Sequence, residues 1–155
     1  MDMMLLAQEI IDGRRIKRED DLSVFLTCDL KELCDGADRI REYYIGDTVD
    51  LCSIINGQSG RCPEDCKYCA QSAHNHTNCE IYDFLPEEKI LEMCKMNEKE
   101  GVHRFSIVTA GRALTGKEFD KAIHAYETMY RECKIDLCAS MGFLNEEQLH
   151  RLHEA

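Results

Sequence analysis

The spacing of apolar residues divides the chain into a helical front section and a section in which strands and helices alternate. Residues 2–12 and 20–27 carry apolar positions at helical spacing, which predicts two short helices. Asp29 and Glu32 have the form of a capping box, and the apolar stripe that follows them ends at Gly46. The stripe predicts a third helix and consists of Leu30, Leu33, Cys34, Ala37, Ile40 and Tyr44.

Beyond this front section the pattern changes to strand followed by helix, three times over. The predicted strands are Val49–Ile55, Arg104–Thr109 and Ile135–Ala139. Three helices are predicted to follow these strands. The first begins at Pro86 and is closed by Gly101, the second covers Lys117–Arg131, and the third starts from a cap formed by Asn145 and Gln148. Such an alternation indicates parallel strands joined by right-handed crossovers.

This pattern predicts an α/β fold, the N-terminal part of a (β/α)8 TIM-type barrel. Residues 1–47 would form a helical cap, and residues 48–155 the first three β/α units. Eight units usually need about 250 residues, so we expect the barrel to be incomplete in this chain and the chain to be an N-terminal piece of a longer enzyme.

Composition excludes several classes of partner. The formal net charge is −11 and no basic block is present, which argues against a nucleic-acid partner. No apolar run approaches the roughly 20 residues that a membrane span needs, and the first residues lack the pattern of a secretion signal. Ten cysteines without such a signal favour a reducing compartment, so we expect a cytoplasmic protein.

The candidate chemistry lies in a loop after the first predicted strand, where Cys62, Cys66 and Cys69 are spaced C-x3-C-x2-C. Three thiolates cannot complete a structural zinc site, which asks for four ligands. They could hold an iron–sulfur cubane with one iron left open. Tyr68 would stand beside that iron and offer an aromatic face to a planar group such as adenine.

Two other interpretations of the loop remain open on spacing alone. His74, His76 or Cys79 could complete a zinc site as a fourth ligand, or the cysteines could form a redox pair with one to spare.

The wider sequence around the cysteines resembles the radical S-adenosylmethionine (SAM) superfamily and, within it, the biotin synthase family. The segments that carry the resemblance are Leu51–Asn56, Ser59–Ser72, Arg104–Arg112 and Cys138–Gly142. The three cysteines give only the superfamily, whereas the flanking Pro-Glu-Asp and Ala-Gln-Ser favour the narrower family.

The resemblance implies that Cys62, Cys66 and Cys69 hold a [4Fe–4S] cluster whose free iron binds SAM. A radical derived from SAM would then act on dethiobiotin, and sulfur insertion would give biotin. A flavodoxin or ferredoxin would supply electrons, and a homodimer is one arrangement that the resemblance allows. No side chain is expected to act as a general acid or base, because the cofactors carry the chemistry.

Strand alternation places further candidates in the barrel lumen. Phe105 and Ile107 suit the helix layer, which sends Arg104 and Ser106 inward, and Cys138 faces inward on the next strand. The resemblance implies an auxiliary iron–sulfur cluster, [2Fe–2S] or a variant, with Cys138 as a ligand. Ser106 stands where the family usually has a cysteine, so we expect an auxiliary cluster of altered ligation or composition. The alternative is that Ser106 is only a hydroxyl group of the lumen and that no auxiliary cluster is present.

The resemblance also implies that Ala110 and Gly111 contact the methionine part of SAM through backbone groups. Arg112 beside them could meet a carboxylate or face solvent.

Two other functions stay open: a different radical SAM enzyme, such as a sulfur-inserting or maturase relative, and a non-enzymatic cluster-binding or zinc-binding module.

Overall fold

The computed structural model describes residues 2–155 and divides into two compact units, Met1–Val49 and Asp50–Ala155. Among the described residues, no helix combines the length and apolar character needed to cross a membrane.

The first unit contains three helices, α1 (Met3–Ile11), α2 (Val24–Thr27) and α3 (Leu30–Ile45). The Asp29 carboxylate accepts hydrogen bonds from the Lys31 and Glu32 amides at 2.9 and 3.2 Å, so Asp29 caps α3 as predicted. The Glu32 side chain does not return the bond, so the capping box is incomplete. Helix α3 ends at Gly46, as predicted. Helices α1 and α3 pack together.

The predicted helix over residues 20–27 is shorter than expected. Only Val24–Thr27 is helical, because two aspartates bind nearby backbone instead. Asp20 accepts from the Lys17 amide at 2.8 Å, and Asp21 accepts from the Ser23 amide at 3.0 Å. Such local bonds compete with the helical pattern.

The second unit is a parallel sheet with strand order β1-β2-β3 and a helix after each strand. Its elements are β1 (Cys52–Gln58), α4 (Glu87–Lys99), β2 (Arg104–Thr109), α5 (Gly116–Glu132), β3 (Asp136–Ser140) and α6 (Glu146–Glu154). Pro86 is the N-cap of α4 rather than its first helical residue. The capping box of Asn145 and Gln148 is present at α6.

Strand β1 continues three residues beyond the predicted end at Ile55. Asn56 pairs with Val108 and Gln58 with Thr109, and the register shifts between these two pairs. Backbone pairing to β2 extends the strand here, rather than burial of apolar side chains. Because these residues are polar, the sequence pattern does not indicate a strand.

One face of the sheet packs on the helices and forms the core of this unit. Phe105 and Ile107 of β2 are fully buried there, which confirms the predicted orientation of this strand. Their neighbours come from α4 and α5 and include Ile90, Cys94, Phe119, Ala122 and Met129. The opposite face carries the side chains of the candidate lumen.

Candidate metal centre

The three cysteines lie in the long connection between β1 and α4, directly after the strand. Cys66 is exposed, and Cys62 and Cys69 are half-buried. A tight turn brings the last two together, since the Cys69 amide donates to the Cys66 carbonyl at 3.0 Å. Cys62 is tied to the returning chain, because its carbonyl accepts from the Ala73 amide at 2.8 Å. The loop thus folds back on itself and leaves its thiols accessible.

Side chains from residues 71–77 support the cysteine loop through its backbone. The buried Ser72 hydroxyl donates to the Glu64 carbonyl at 2.7 Å and accepts from the His74 amide at 3.2 Å. The His74 Nε2 atom lies 3.1 Å from the Pro63 carbonyl. His74 therefore contributes to the shape of the loop by a contact that the sequence did not reveal.

The residue types of this loop fit an iron–sulfur cluster, because thiolates are the usual ligands of such clusters. Zinc also takes thiolates but asks for four ligands. Within residues 2–155, no group of three His, Cys, Asp or Glu side chains is arranged as a site for a single ion.

Tyr68 projects into solvent from the turn between Cys66 and Cys69, with its side chain 95% exposed. Its exposure next to the thiols leaves the ring face free for a planar group.

Ala110 and Gly111 follow β2 and lie at the same edge of the sheet as the cysteine loop. The Ala110 amide already donates to the Gln58 carbonyl at 2.9 Å. Gly111 has a φ of 112°, which a side chain would strain. The groups left for a ligand here are the Ala110 carbonyl and the Gly111 amide.

Arg112 connects the loops that follow the three strands. Its guanidinium lies 3.2 Å from the Glu64 carboxylate of the cysteine loop and 5.0 Å from the centroid of the Phe143 ring, which follows β3. Both of the situations open to Arg112 from the sequence are observed: its side chain is largely exposed to solvent, and it contacts a carboxylate, which belongs to the chain itself.

The lumen face of the sheet carries Ser106 and Cys138 side by side. Ser106 pairs in register with Ile54 on one side and with Cys138 on the other. Arg104, one step along the same face, forms an ion pair with Asp50. The pKa of Arg104 is raised, first by Asp50 and to a lesser extent by Cys138, so its positive charge is firmly held beside that thiol.

Tyr126 of α5 reaches between β2 and β3 from the other side of the sheet. Its hydroxyl accepts from the Ile107 amide at 3.2 Å and donates to the Cys138 carbonyl. Burial raises the pKa of this phenol well above its usual value, so the hydroxyl remains a donor. The predicted helix over Lys117–Arg131 includes Tyr126, but its contact with the backbone of Cys138 could not be read from the sequence.

Three polar side chains at the carboxyl ends of β1 and β2 were also missed. Asn56 Oδ1, Gln58 Oε1 and Thr109 Oγ1 are buried and lack a hydrogen-bond partner within the described residues. Asn56 and Gln58 lie beyond the predicted end of β1, in the part of the strand that the sequence pattern does not indicate. Buried polar atoms without partners are uncommon in folded proteins, and these three mark the sheet edge next to the cysteine loop as a polar site.

Known proteins resemble this chain in sequence and in fold. Residues 56–155 match the profile of the radical SAM superfamily. Biotin synthase of Clostridium beijerinckii is 61% identical over 153 residues, which cover 99% of this chain and 48% of that protein. Biotin synthase of Alkaliphilus metalliredigens is 57% identical over 155 residues, which cover 100% of this chain and 49% of that protein. The chain thus spans about half the length of the curated relatives it matches.

A solved structure shares the fold at low sequence identity. The crystal structure of HydG, a maturase of the [FeFe]-hydrogenase, aligns with a TM-score of 0.73 and 15% identity, over 99% of this chain and 35% of that one. This likeness and the parallel sheet confirm the predicted fold class, an incomplete (β/α)8 barrel. The superfamily match implies a [4Fe–4S] cluster and SAM as cofactors. Sequence profile and fold agree, and the chain belongs to the radical SAM superfamily.

Proposed function

We propose that this chain provides the cluster-binding part of a biotin synthase, which inserts sulfur into dethiobiotin to form biotin. The observation that carries the proposal is the position of the cysteine loop. It lies at the sheet edge where the loops after β1, β2 and β3 are connected through Glu64, Arg112 and Phe143. The high identity to proteins named biotin synthase supports the choice of reaction.

Cys62, Cys66 and Cys69 would hold the [4Fe–4S] cluster in this function. The bound cluster supplies the electron with which SAM is cleaved to start radical chemistry. The protein's task is to present three thiolates and to leave the fourth iron accessible. The exposure of Cys66 and the folded-back backbone at Cys62 support this arrangement.

Tyr68, Ala110 and Gly111 would orient SAM. The exposed Tyr68 ring offers a stacking face for adenine, and the Ala110 carbonyl and Gly111 amide offer polar backbone groups to the methionine part. Backbone groups suit this task because they hold their orientation without side-chain ordering.

Cys138 would be a ligand of an auxiliary iron–sulfur cluster, with Ser106 beside it in register. A serine oxygen is a harder ligand than a thiolate, so we propose a cluster of altered ligation rather than the usual [2Fe–2S] form. Replacing Ser106 by alanine should change the iron content or spectrum of that cluster and leave SAM binding unchanged. Unchanged iron content and spectra would make Ser106 a bystander.

The partners follow from the same reaction. A low-potential donor such as flavodoxin or ferredoxin would deliver the electron, and the enzyme could act as a homodimer. Dethiobiotin would bind in the lumen above Ser106 and Cys138.

Anaerobic reconstitution tests the proposal, using the full-length protein, meaning this chain with whatever sequence naturally continues it. We expect a brown protein whose spectrum shifts on addition of SAM and which converts dethiobiotin to biotin. Replacing Cys66 by alanine should abolish 5′-deoxyadenosine formation, whereas replacing the exposed Cys34 should not. A SAM-responsive cluster without biotin formation would indicate a different radical SAM enzyme. A colourless, zinc-loaded protein would refute the cluster assignment.

A further inference from the structure

Asn75 makes a contact that sets it apart from the other side chains supporting the cysteine loop. Its Nδ2 atom lies 3.1 Å from the Cys66 carbonyl oxygen and 2.9 Å from the Cys69 carbonyl oxygen. Both partners are acceptors, so the side-chain amide must present its NH₂ group to them. One half-buried side chain thereby holds the backbone of two of the three cysteines.

The support of the loop is divided between its two halves. Ser72 and His74 hold the carbonyls of Glu64 and Pro63, which precede the second cysteine. Asn75 holds the part that runs from the second cysteine to the third. Its own amide donates to the Ser72 carbonyl at 3.2 Å, so the two supports are joined.

The clamp also fixes the direction of two N–H groups. In a planar trans peptide the carbonyl and the following N–H point in opposite directions. Because Asn75 holds the Cys66 and Cys69 carbonyls, the amides of Lys67 and Ala70 point away from it. Neither amide donates to a protein acceptor within residues 2–155, which leaves both available to sulfur atoms of a cluster held by the loop.

We propose that Asn75 is a positioning residue for the [4Fe–4S] cluster, acting through the peptide groups of Cys66 and Cys69. It orients the Lys67 and Ala70 amides to donate hydrogen bonds to cluster sulfur. This inference rests on the proposed function, since it requires the loop to bind that cluster. Hydrogen bonds to the sulfurs are one determinant of a cluster's reduction potential. Such hydrogen bonds stabilise the reduced cluster, which carries more negative charge, more than the oxidised cluster. By orienting the two amides, Asn75 therefore raises the reduction potential of the cluster.

Two substitutions remove the clamp while keeping the size of the side chain. Asn75→Leu removes both donors, and Asn75→Asp replaces them with an oxygen that repels the carbonyls. Asn78→Leu is the matched control, because Asn78 is exposed and lies three residues further along the same segment. The three variants and the wild type are reconstituted anaerobically as full-length protein, and circular dichroism verifies that each is folded.

The measurements are the midpoint potential of the cluster and the rate at which a chelator removes its iron. Loss of an outer-shell partner typically costs about 10-fold or more in metal affinity, so we expect about tenfold faster iron loss from both Asn75 variants. The two amide donors should favour the reduced cluster over the oxidised one by about tenfold. Their loss should therefore lower the potential by about 59 mV, the one-electron equivalent of that ratio. Asn78→Leu should match the wild type in both.

The outcomes separate this inference from the proposed function. A wild type that takes up no cluster refutes the proposed function. A wild type that holds the cluster, with unchanged potential and iron loss in both Asn75 variants, overturns the role of Asn75 alone. Faster iron loss at an unchanged potential also overturns it, because Asn75 would then only stabilise the loop.

Discussion

The cysteine loop and the helix-facing core of the sheet are stabilised in opposite ways. The core excludes water around Phe105, Ile107 and their neighbours on α4 and α5. The loop buries little apolar surface and is held by side-chain hydrogen bonds to its own carbonyls, as at Ser72 and Asn75. Burial stabilises the fold without directional demands, whereas the hydrogen bonds specify one backbone conformation and leave the thiols accessible.

Cysteine itself shows the difference between the two regions. Cys94 on α4 is fully buried beside Cys133 in the core, and burial, followed by the contact with Cys133, raises the pKa of its thiol to about 12. Cys66 in the loop is exposed. The same residue type acts as an apolar side chain in one region and is available as a ligand in the other.

Thiol alkylation should separate the two regions most strongly. Because the raised pKa keeps Cys94 protonated, and because it is buried, we expect no reaction with iodoacetamide between about pH 7 and 9 in the folded, cluster-free protein. Cys66 should react under the same conditions. Mass spectrometry of peptides after a time course measures both rates. Equal rates for Cys66 and Cys94 would contradict the assignment of Cys94 to the core.

Replacing Phe105 by alanine tests the contribution of apolar burial. This side chain is fully buried, so we expect the free energy of unfolding to fall by about 3–5 kcal/mol. Denaturant unfolding followed by circular dichroism measures the change. Phe143→Ala, at an exposed phenylalanine, is the control and should cost far less. Similar losses for the two variants would show that the core is not packed around Phe105.

Replacing Ser72 by alanine tests the contribution of the loop's hydrogen bonds. The Glu64 carbonyl and the His74 amide each lose their partner, and a hydrogen bond of this kind contributes about 0.5–1.5 kcal/mol. We expect the cost to be local, seen as faster hydrogen exchange across residues 60–75 with β2 unaffected. Ser53→Ala on β1 provides a control. Faster exchange spread over the whole sheet would mean that the loop is not an independent region.

Replacing Arg112 by glutamine should have the smallest effect. Its guanidinium is largely exposed and pairs with Glu64 across 3.2 Å, and exposed ion pairs contribute about 0–1 kcal/mol. We expect a slight loss of stability that disappears in about 1 M salt, where such charges are screened. A double-mutant cycle with Glu64→Gln measures the pair. A coupling well above 1 kcal/mol, or one insensitive to salt, would contradict a solvent-exposed pair.

The sequence predicts the core well because buried apolar residues recur at regular intervals along a strand or helix. The alternation in Arg104–Thr109 placed Phe105 and Ile107 on the helices, and the capping residues at Asn145 and Gln148 marked the start of α6. The extension of β1 to Gln58 was missed, because that stretch is polar and strand pairing rather than burial continues it.

The sequence predicts those residues of the site whose side-chain type indicates their chemistry. Cysteine spacing indicated a cluster, and strand alternation placed Ser106 beside Cys138. The supports of the loop could not be predicted, since Ser72, His74 and Asn75 act through backbone carbonyls that any residue possesses. Their positions follow from the path of the folded chain, which has no periodic signature.

The close approach of the segments after β2 and β3 has a consequence for changing this protein by mutation. Gly142 has a φ of 77°, and a Cβ atom there would lie 2.1 Å from the carbonyl oxygen of Arg112. A library that varies the mouth of this half-barrel to accept a new substrate should therefore leave position 142 unchanged. Any larger residue would push the two segments apart and so displace both Arg112 and Phe143.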